Sequence, residues 1–344
     1  MSEPSAEFQL EFLAKLQRII SEGEFTATYK FALLIALTEL AIERGKDDCG
    51  PLVLAVSDIA EKFAELYWKQ LVPYSATGST PGVLSQITGS AAAIPNRLAV
   101  FRAETGLHLL AAARLHPEWP RVIAAIADTL RKQPLPKLQK VDGQTIRFLY
   151  EDGPGRGAVT MLPGVPFALR RFQAFVVRLA QSGWVRHIRE NILNRPLVGE
   201  AGDLEAFMFE QSRQSLAKVR AILVEAQQGR CFYCGERAGQ GDVDHFIPWA
   251  RYPRDIAENF VFADGRCNRA KSDMLAAPPH RERWLLRNHA QSALIKELQN
   301  AGFISDLQAI DAVADWAYSD AVRAGAHLWL APRNTVPAVA SCVL

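Results

Sequence analysis

An aspartate and a histidine stand side by side at Asp244 and His245, within Asp242-Val-Asp-His-Phe-Ile-Pro-Trp249. Glu258-Asn-Phe-Val-Phe262 follows, then Asp264-Gly-Arg-Cys-Asn-Arg-Ala-Lys-Ser-Asp273. These residue types suit hydrolysis of a phosphodiester. Water must shed a proton as it attacks phosphorus, and an imidazole, whose pKa lies near neutrality, takes it. The leaving oxygen gains charge, which a hard cation such as Mg²⁺ offsets, and carboxylate and amide oxygens are the donors that hold one. His245 offers the base, and Asp244 and Asn268 offer the oxygens.

The elements around these residues must then bring them together. Val243 to Ile247 reads as a β-strand, on which neighbouring side chains point to opposite faces. Asp244 and His245 therefore join one site only if the strand bends or ends there, and Pro248 favours an ending. Asn268 is expected to open a helix running to Leu275. The expected arrangement is strand, strand and helix around one cation.

Residues 231–273 resemble the HNH endonuclease family, in the variant whose final histidine is an asparagine. The HNH domain of RNA-guided nucleases carries a similar string: Asp-His, a later Asn, and Asn-Arg-x-Lys-Ser-Asp. The resemblance implies a ββα-metal module in which His245 is the general base and Asp244 with Asn268 hold Mg²⁺ or Mn²⁺. It implies that Asn259 braces the loop carrying the histidine. It further implies a nucleic-acid substrate, double-stranded DNA first among them, in a bacterial defence or mobile-element setting. One such module cuts one strand, so a double-strand break would need a homodimer or two sequential nicks. The competing class is a non-catalytic zinc-ribbon protein that binds nucleic acid with a decayed active site; the intact Asp244, His245 and Asn268 argue against it.

Five cysteines are present, Cys49, Cys231, Cys234, Cys267 and Cys342. An odd count with no basic-then-apolar leader argues against a disulfide framework and for reduced thiols in the cytoplasm. Cys231-x2-Cys234 is an intact zinc knuckle, and many HNH proteins pair two such knuckles around a structural zinc. The second here reads Asp264-x2-Cys267, which makes Asp264 the leading fourth ligand and His280 a weaker one. In the alternative, the thiols are small core residues and no zinc is held. The remaining histidines have no such context. Arg266, Arg269 and Lys271 are either phosphate contacts or a solvated helix face.

The rest of the chain reads as α+β: a mostly helical N-terminal region with a β-hairpin, then the ββα module flanked by helices. The expected divisions are 1–200, 201–290 and 291–344. Phe31 to Ile42 reads as a buried helix, and Pro120 to Lys132 as another. Asp58 with Glu61 resembles a capping box. Pro51 to Phe63 reads as plain helical scaffold first and as a helix-turn-helix second, with the later hairpin as its wing. That hairpin joins Thr145–Tyr150 to Ala158–Leu162 across Asp152-Gly-Pro-Gly-Arg-Gly157. The glycine-rich turn lacks a Gly-Lys-Ser/Thr ending and opens no helix, so it is not read as a phosphate cradle. Pro332 to Leu344 reads as a loose tail.

Composition sets the outer bounds. With 344 residues, 49% hydrophobic and 22% charged, the chain is ordinary for a globular protein with a real core. No run reaches the roughly 20 apolar residues that span a bilayer. A protein that grips DNA by charge alone is usually more basic than the net +2 here, so any contact must come from a local patch.

Overall fold

The computed structural model describes residues 3–23, 26–74, 81–89, 92–151, 157–198, 204–209 and 216–340. The fold is α+β, dominated by helices, with four two-stranded antiparallel sheets among the described residues. It divides into two compact units, 1–211 and 212–344. The division falls eleven residues beyond the expected boundary at 200. The expected third region, 291–344, belongs to the second unit. No helix among the described residues is long and apolar enough to cross a membrane.

The first unit opens with α1 (Ala6–Glu22), α2 (Tyr29–Arg44), β1 (Leu52–Ala55), α3 (Val56–Lys69) and α4 (Ala93–Thr105). It continues through α5 (Leu110–Arg114), α6 (Trp119–Lys132), α7 (Pro134–Lys137), β2 (Lys140–Val141), β3 (Gln144–Thr145) and β4 (Ala158–Met161). It closes with α8 (Val165–Arg171), α9 (Gln173–Glu190), α10 (Arg195–Val198) and α11 (Leu204–Phe209). Helix α2 is its centre. It has almost no polar face, and fourteen of its sixteen residues are buried, against α3, α8 and α9. Helix α9 comes close enough only because residue 183 is glycine: a Cβ there would lie 2.4 Å from the Phe31 ring.

Three expectations for this unit need correction. The hairpin from 145 to 162 forms only an isolated bridge, Tyr150 to Met161, while β4 pairs along its length with β1. The reason is Gln139, whose buried side-chain oxygen accepts the Phe148 and Leu149 N–H groups at 3.0 and 2.8 Å while its amide donates to the Tyr150 carbonyl. One side chain satisfies backbone that would otherwise seek a strand. Residues 152–156 of the expected turn lie outside the described residues. The helix-turn-helix does not form, because residues 52–55 are strand and Ala55, extended, leads straight into α3. Nor does Asp58 cap α3, which starts at Val56 without a side-chain cap.

The second unit comprises α12 (Leu216–Ala226), β5 (Asp242–His245), β6 (Phe260–Ala263), α13 (Gly265–Lys271), α14 (Pro278–Ala290), α15 (Ser292–Asn300), α16 (Leu307–Arg323), β7 (His327–Ala331) and β8 (Asn334–Pro337). Strands β5 and β6 are antiparallel, with Asp244 opposite Val261 and His245 opposite Phe260. Trp284 on α14 stacks on Phe246 just beyond β5, with ring centroids 4.5 Å apart, and its indole N–H donates to the Glu258 carbonyl. The expected loose tail is β8 as far as Pro337, paired with β7. Strand β7 is tied to the segment after α13: Trp329 N–H donates to the Leu275 carbonyl, and Ala277 N–H to the Trp329 carbonyl.

Gly183→Ala forces either Phe31 or the helix backbone to move in a close-packed core. It should destabilise the first unit by about 1–3 kcal/mol, read from urea denaturation; an unchanged midpoint would show that Phe31 yields freely.

Candidate functional site

Strand β5 ends at His245, as the following Pro248 suggested, and the Asn259 side chain pins the chain beyond it. Asn259, fully buried, accepts the Ile247 N–H on Oδ1 at 2.7 Å and donates from Nδ2 to the Ile247 carbonyl at 3.0 Å. The Phe246 N–H donates to the Asn259 carbonyl at 2.8 Å. Arg287, also buried, donates to the carbonyls of Glu258 and Phe260 on either side of Asn259. Burial lowers its pKa to about 10, still far above neutrality, so the guanidinium remains a donor.

His245 packs between Trp249 and Phe260, with ring centroids 5.1 Å away in each case. Its Nε2 lies 2.9 Å from Asp255 Oδ1. A carboxylate can only accept here, so the neutral ring carries its proton on Nε2 and presents a lone pair on Nδ1. Nδ1 has no protein partner among the described residues. Asp255 was not singled out from the sequence. Its only signal there is an acidic residue four positions before Asn259.

Asp244 is mostly buried and faces different neighbours. Its Oδ2 accepts the Tyr233 hydroxyl at 2.5 Å and lies 3.0 Å from Lys271 Nζ. Burial, then the adjacent carboxylate, hold the Tyr233 phenol well above its ordinary range, so it stays a donor. Lys271 has no exposed side-chain surface, and its Nζ also donates to the His245 carbonyl at 3.0 Å. It is therefore not available as a phosphate contact, whereas Arg266 and Arg269 are exposed. Helix α13 starts three residues earlier than expected and ends at Lys271. Asn268 lies in its interior, one turn before Lys271. Residues three apart on a helix are neighbours, so the half-exposed Asn268 lies next to Lys271 on α13. Oδ1 of Asp244 accepts no hydrogen bond from the described residues.

Beside this lies a group of three thiols. Cys231, Cys234 and Cys267 place their sulfurs within 4.8 Å of one another. The first two flank a tight turn in which Gly235, at φ 75°, donates its N–H to the Cys231 carbonyl at 2.9 Å. Cys267 sits in the first turn of α13. Burial, then crowding by the other two sulfurs, pushes its thiol up to about 12; a bound cation would reverse that preference.

Asp264 does not join them. It is the N-cap of α13, and its Oδ1 accepts the Arg266 N–H at 2.9 Å. A helix start leaves N–H groups unpaired, and a short carboxylate is well placed to take one. His280 is engaged as well: Nε2 donates to the Leu330 carbonyl at 2.8 Å and Nδ1 accepts from Arg283. Cys49 belongs to the first unit, and Cys342 lies outside the described residues.

Comparison of the chain with protein-family models, with curated proteins and with solved structures finds no match. Function must then be argued from the site itself.

Lys271→Met removes one partner of a buried ion pair and leaves both Asp244 and the His245 carbonyl short of a donor. It should destabilise the second unit by about 3–5 kcal/mol, followed by tryptophan fluorescence in urea. A loss under about 1 kcal/mol would put the pair in the range of an exposed one.

Proposed function

We propose that this chain is a metal-dependent endonuclease of the HNH type, hydrolysing phosphodiester bonds in DNA. The observation that carries the reading is His245, held through Nε2 by Asp255 with Nδ1 free, next to an Asp244 carboxylate with one oxygen uncommitted. Strand β5, strand β6 and helix α13 have the order of a ββα-metal unit, and Asn259 pairs with the loop that follows the histidine.

In this reading Nδ1 of His245 takes the proton of the attacking water, and Asp255 steadies the imidazolium that forms. Asp244 Oδ1 and the Asn268 amide would hold Mg²⁺ or Mn²⁺. The donor set fits a hard cation, since it offers oxygens and no sulfur. When bound, the cation offsets charge gathering on the leaving oxygen. Arg266 and Arg269 supply phosphate contacts. The three thiols suit a structural zinc with the fourth ligand coming from outside the described histidines, cysteines and carboxylates.

Supercoiled plasmid should be cut with Mg²⁺ and left intact with EDTA. His245→Ala should retain fold and Mn²⁺ binding while cleavage falls by roughly 10²–10⁴-fold, the usual cost of losing a general base. Near-normal cleavage by that folded variant would rule the mechanism out. Protein purified without chelator should also carry about one equivalent of zinc by elemental analysis, bound by three thiolates. Less than about a tenth of an equivalent would sink the structural zinc.

A further inference from the structure

Tyr233 belongs to the turn between Cys231 and Cys234, yet its hydroxyl reaches out of that turn to Asp244. Its ring is fenced by edge contacts to Phe232, His280 and Trp329, with centroids 5.3, 5.4 and 5.1 Å away. It is 4% exposed. A ring enclosed in this way leaves the hydroxyl little freedom, so the position of the turn dictates the position of the donor. The oxygen it reaches, Oδ2 of Asp244, is the one that Lys271 also holds. Two donors converge on one carboxylate oxygen, and the other takes none from the described residues.

We propose that Tyr233 is a positioning residue that couples the cysteine turn to the metal-binding carboxylate. With Lys271 it clamps Oδ2, so that Asp244 presents Oδ1 alone, as a one-oxygen ligand for a single divalent cation. Order in the turn at Cys231–Cys234 thereby sets affinity for a cation bound elsewhere. The inference rests on the reading of Asp244 as a metal ligand. Its physical ground is general: groups that hydrogen-bond a ligating side chain fix its orientation, and their removal weakens metal binding by about 10–100-fold.

The test is calorimetric titration of Mn²⁺ into full-length wild type, Tyr233→Phe, Asp244→Ala and Cys234→Ser, each checked by circular dichroism and for zinc content. Tyr233→Phe keeps the ring and loses only the donor. It should keep the wild-type fold and zinc content while the Kd for Mn²⁺ rises about tenfold. Cys234→Ser, which loosens the turn, should weaken Mn²⁺ binding in the wild-type background and add little in the Tyr233→Phe background, because the effect travels through the missing hydroxyl. A folded Tyr233→Phe or Cys234→Ser protein with wild-type Mn²⁺ affinity overturns the coupling and leaves the nuclease reading intact. So does equal weakening by Cys234→Ser in both backgrounds. Wild type that binds Mn²⁺ no better than Asp244→Ala overturns both.

Discussion

The ammonium of Lys271 is the point on which the second unit's site depends. It is sealed from solvent, 3.0 Å from the Asp244 carboxylate and 3.0 Å from the His245 carbonyl. A buried charge is tolerated only where it is paired and hydrogen-bonded, so helix α13 cannot shift against β5 without stranding it. Much else follows from that tie. Cys267 precedes Lys271 by four residues, so the same helix delivers an ammonium to Asp244 and a sulfur to the cysteine turn. Asp244 in turn receives Tyr233 from that turn. The ion pair and the Tyr233 hydrogen bond together join three chain segments at one carboxylate oxygen.

Polar groups elsewhere in this unit are handled in the same way. The segment 257–260 is a short helical turn running into β6, and it leaves carbonyls without a regular ladder. Trp284 and Arg287, one turn apart on α14, meet those of Glu258 and Phe260, while Asn259 turns its amide back on Ile247. The apolar stack of Trp284 on Phe246 makes the region compact, and the donors make it unique. A loop stiffened this thoroughly suits the placing of a histidine ring, because misplacement by about an ångström costs a positioned base much of its effect.

How much of this the sequence revealed depends on how far each role reaches along the chain. Helix α2 could be read from its apolar run, interrupted only at Thr38-Glu39, and the end of β5 from Pro248. Asp244, His245 and Asn268 stood out for the chemistry their types and spacing allow, and Asn259 through the resemblance to the HNH family. Lys271 was grouped with Arg266 and Arg269 as a basic face. The spacing held a correction: Cys267 and Lys271 are four apart and share the buried face of α13, while both arginines fall on the exposed one. Tyr233 and Asp255 act across a fold that brings them to Asp244 and His245, and no local pattern marks either. In the first unit the missed signal was short-range. Asp142-Gly143, both at positive φ, makes the two-residue turn between β2 and β3, a dipeptide well suited to such hairpins. What no pattern could show was Gln139, whose side chain stands in for a missing strand.

The alternation of side chains along β5 first looks like an obstacle to a shared site. Asp244 meets Tyr233 and Lys271, whereas His245 meets Asp255, Trp249 and Phe260, so the two neighbours are held by separate sets of contacts. In the proposed reaction that separation has a use. Displacement at phosphorus runs in line, with the attacking water and the leaving oxygen on opposite sides of the phosphorus atom. The base must act on one side and the cation on the other. Two groups crowded onto one face would compete for the same oxygen. A carboxylate and an imidazole that leave consecutive residues of a strand, at the point where the strand stops, can instead address a phosphate from two directions. Adjacent in sequence and divergent in space, Asp244 and His245 match the division of labour that the chemistry imposes.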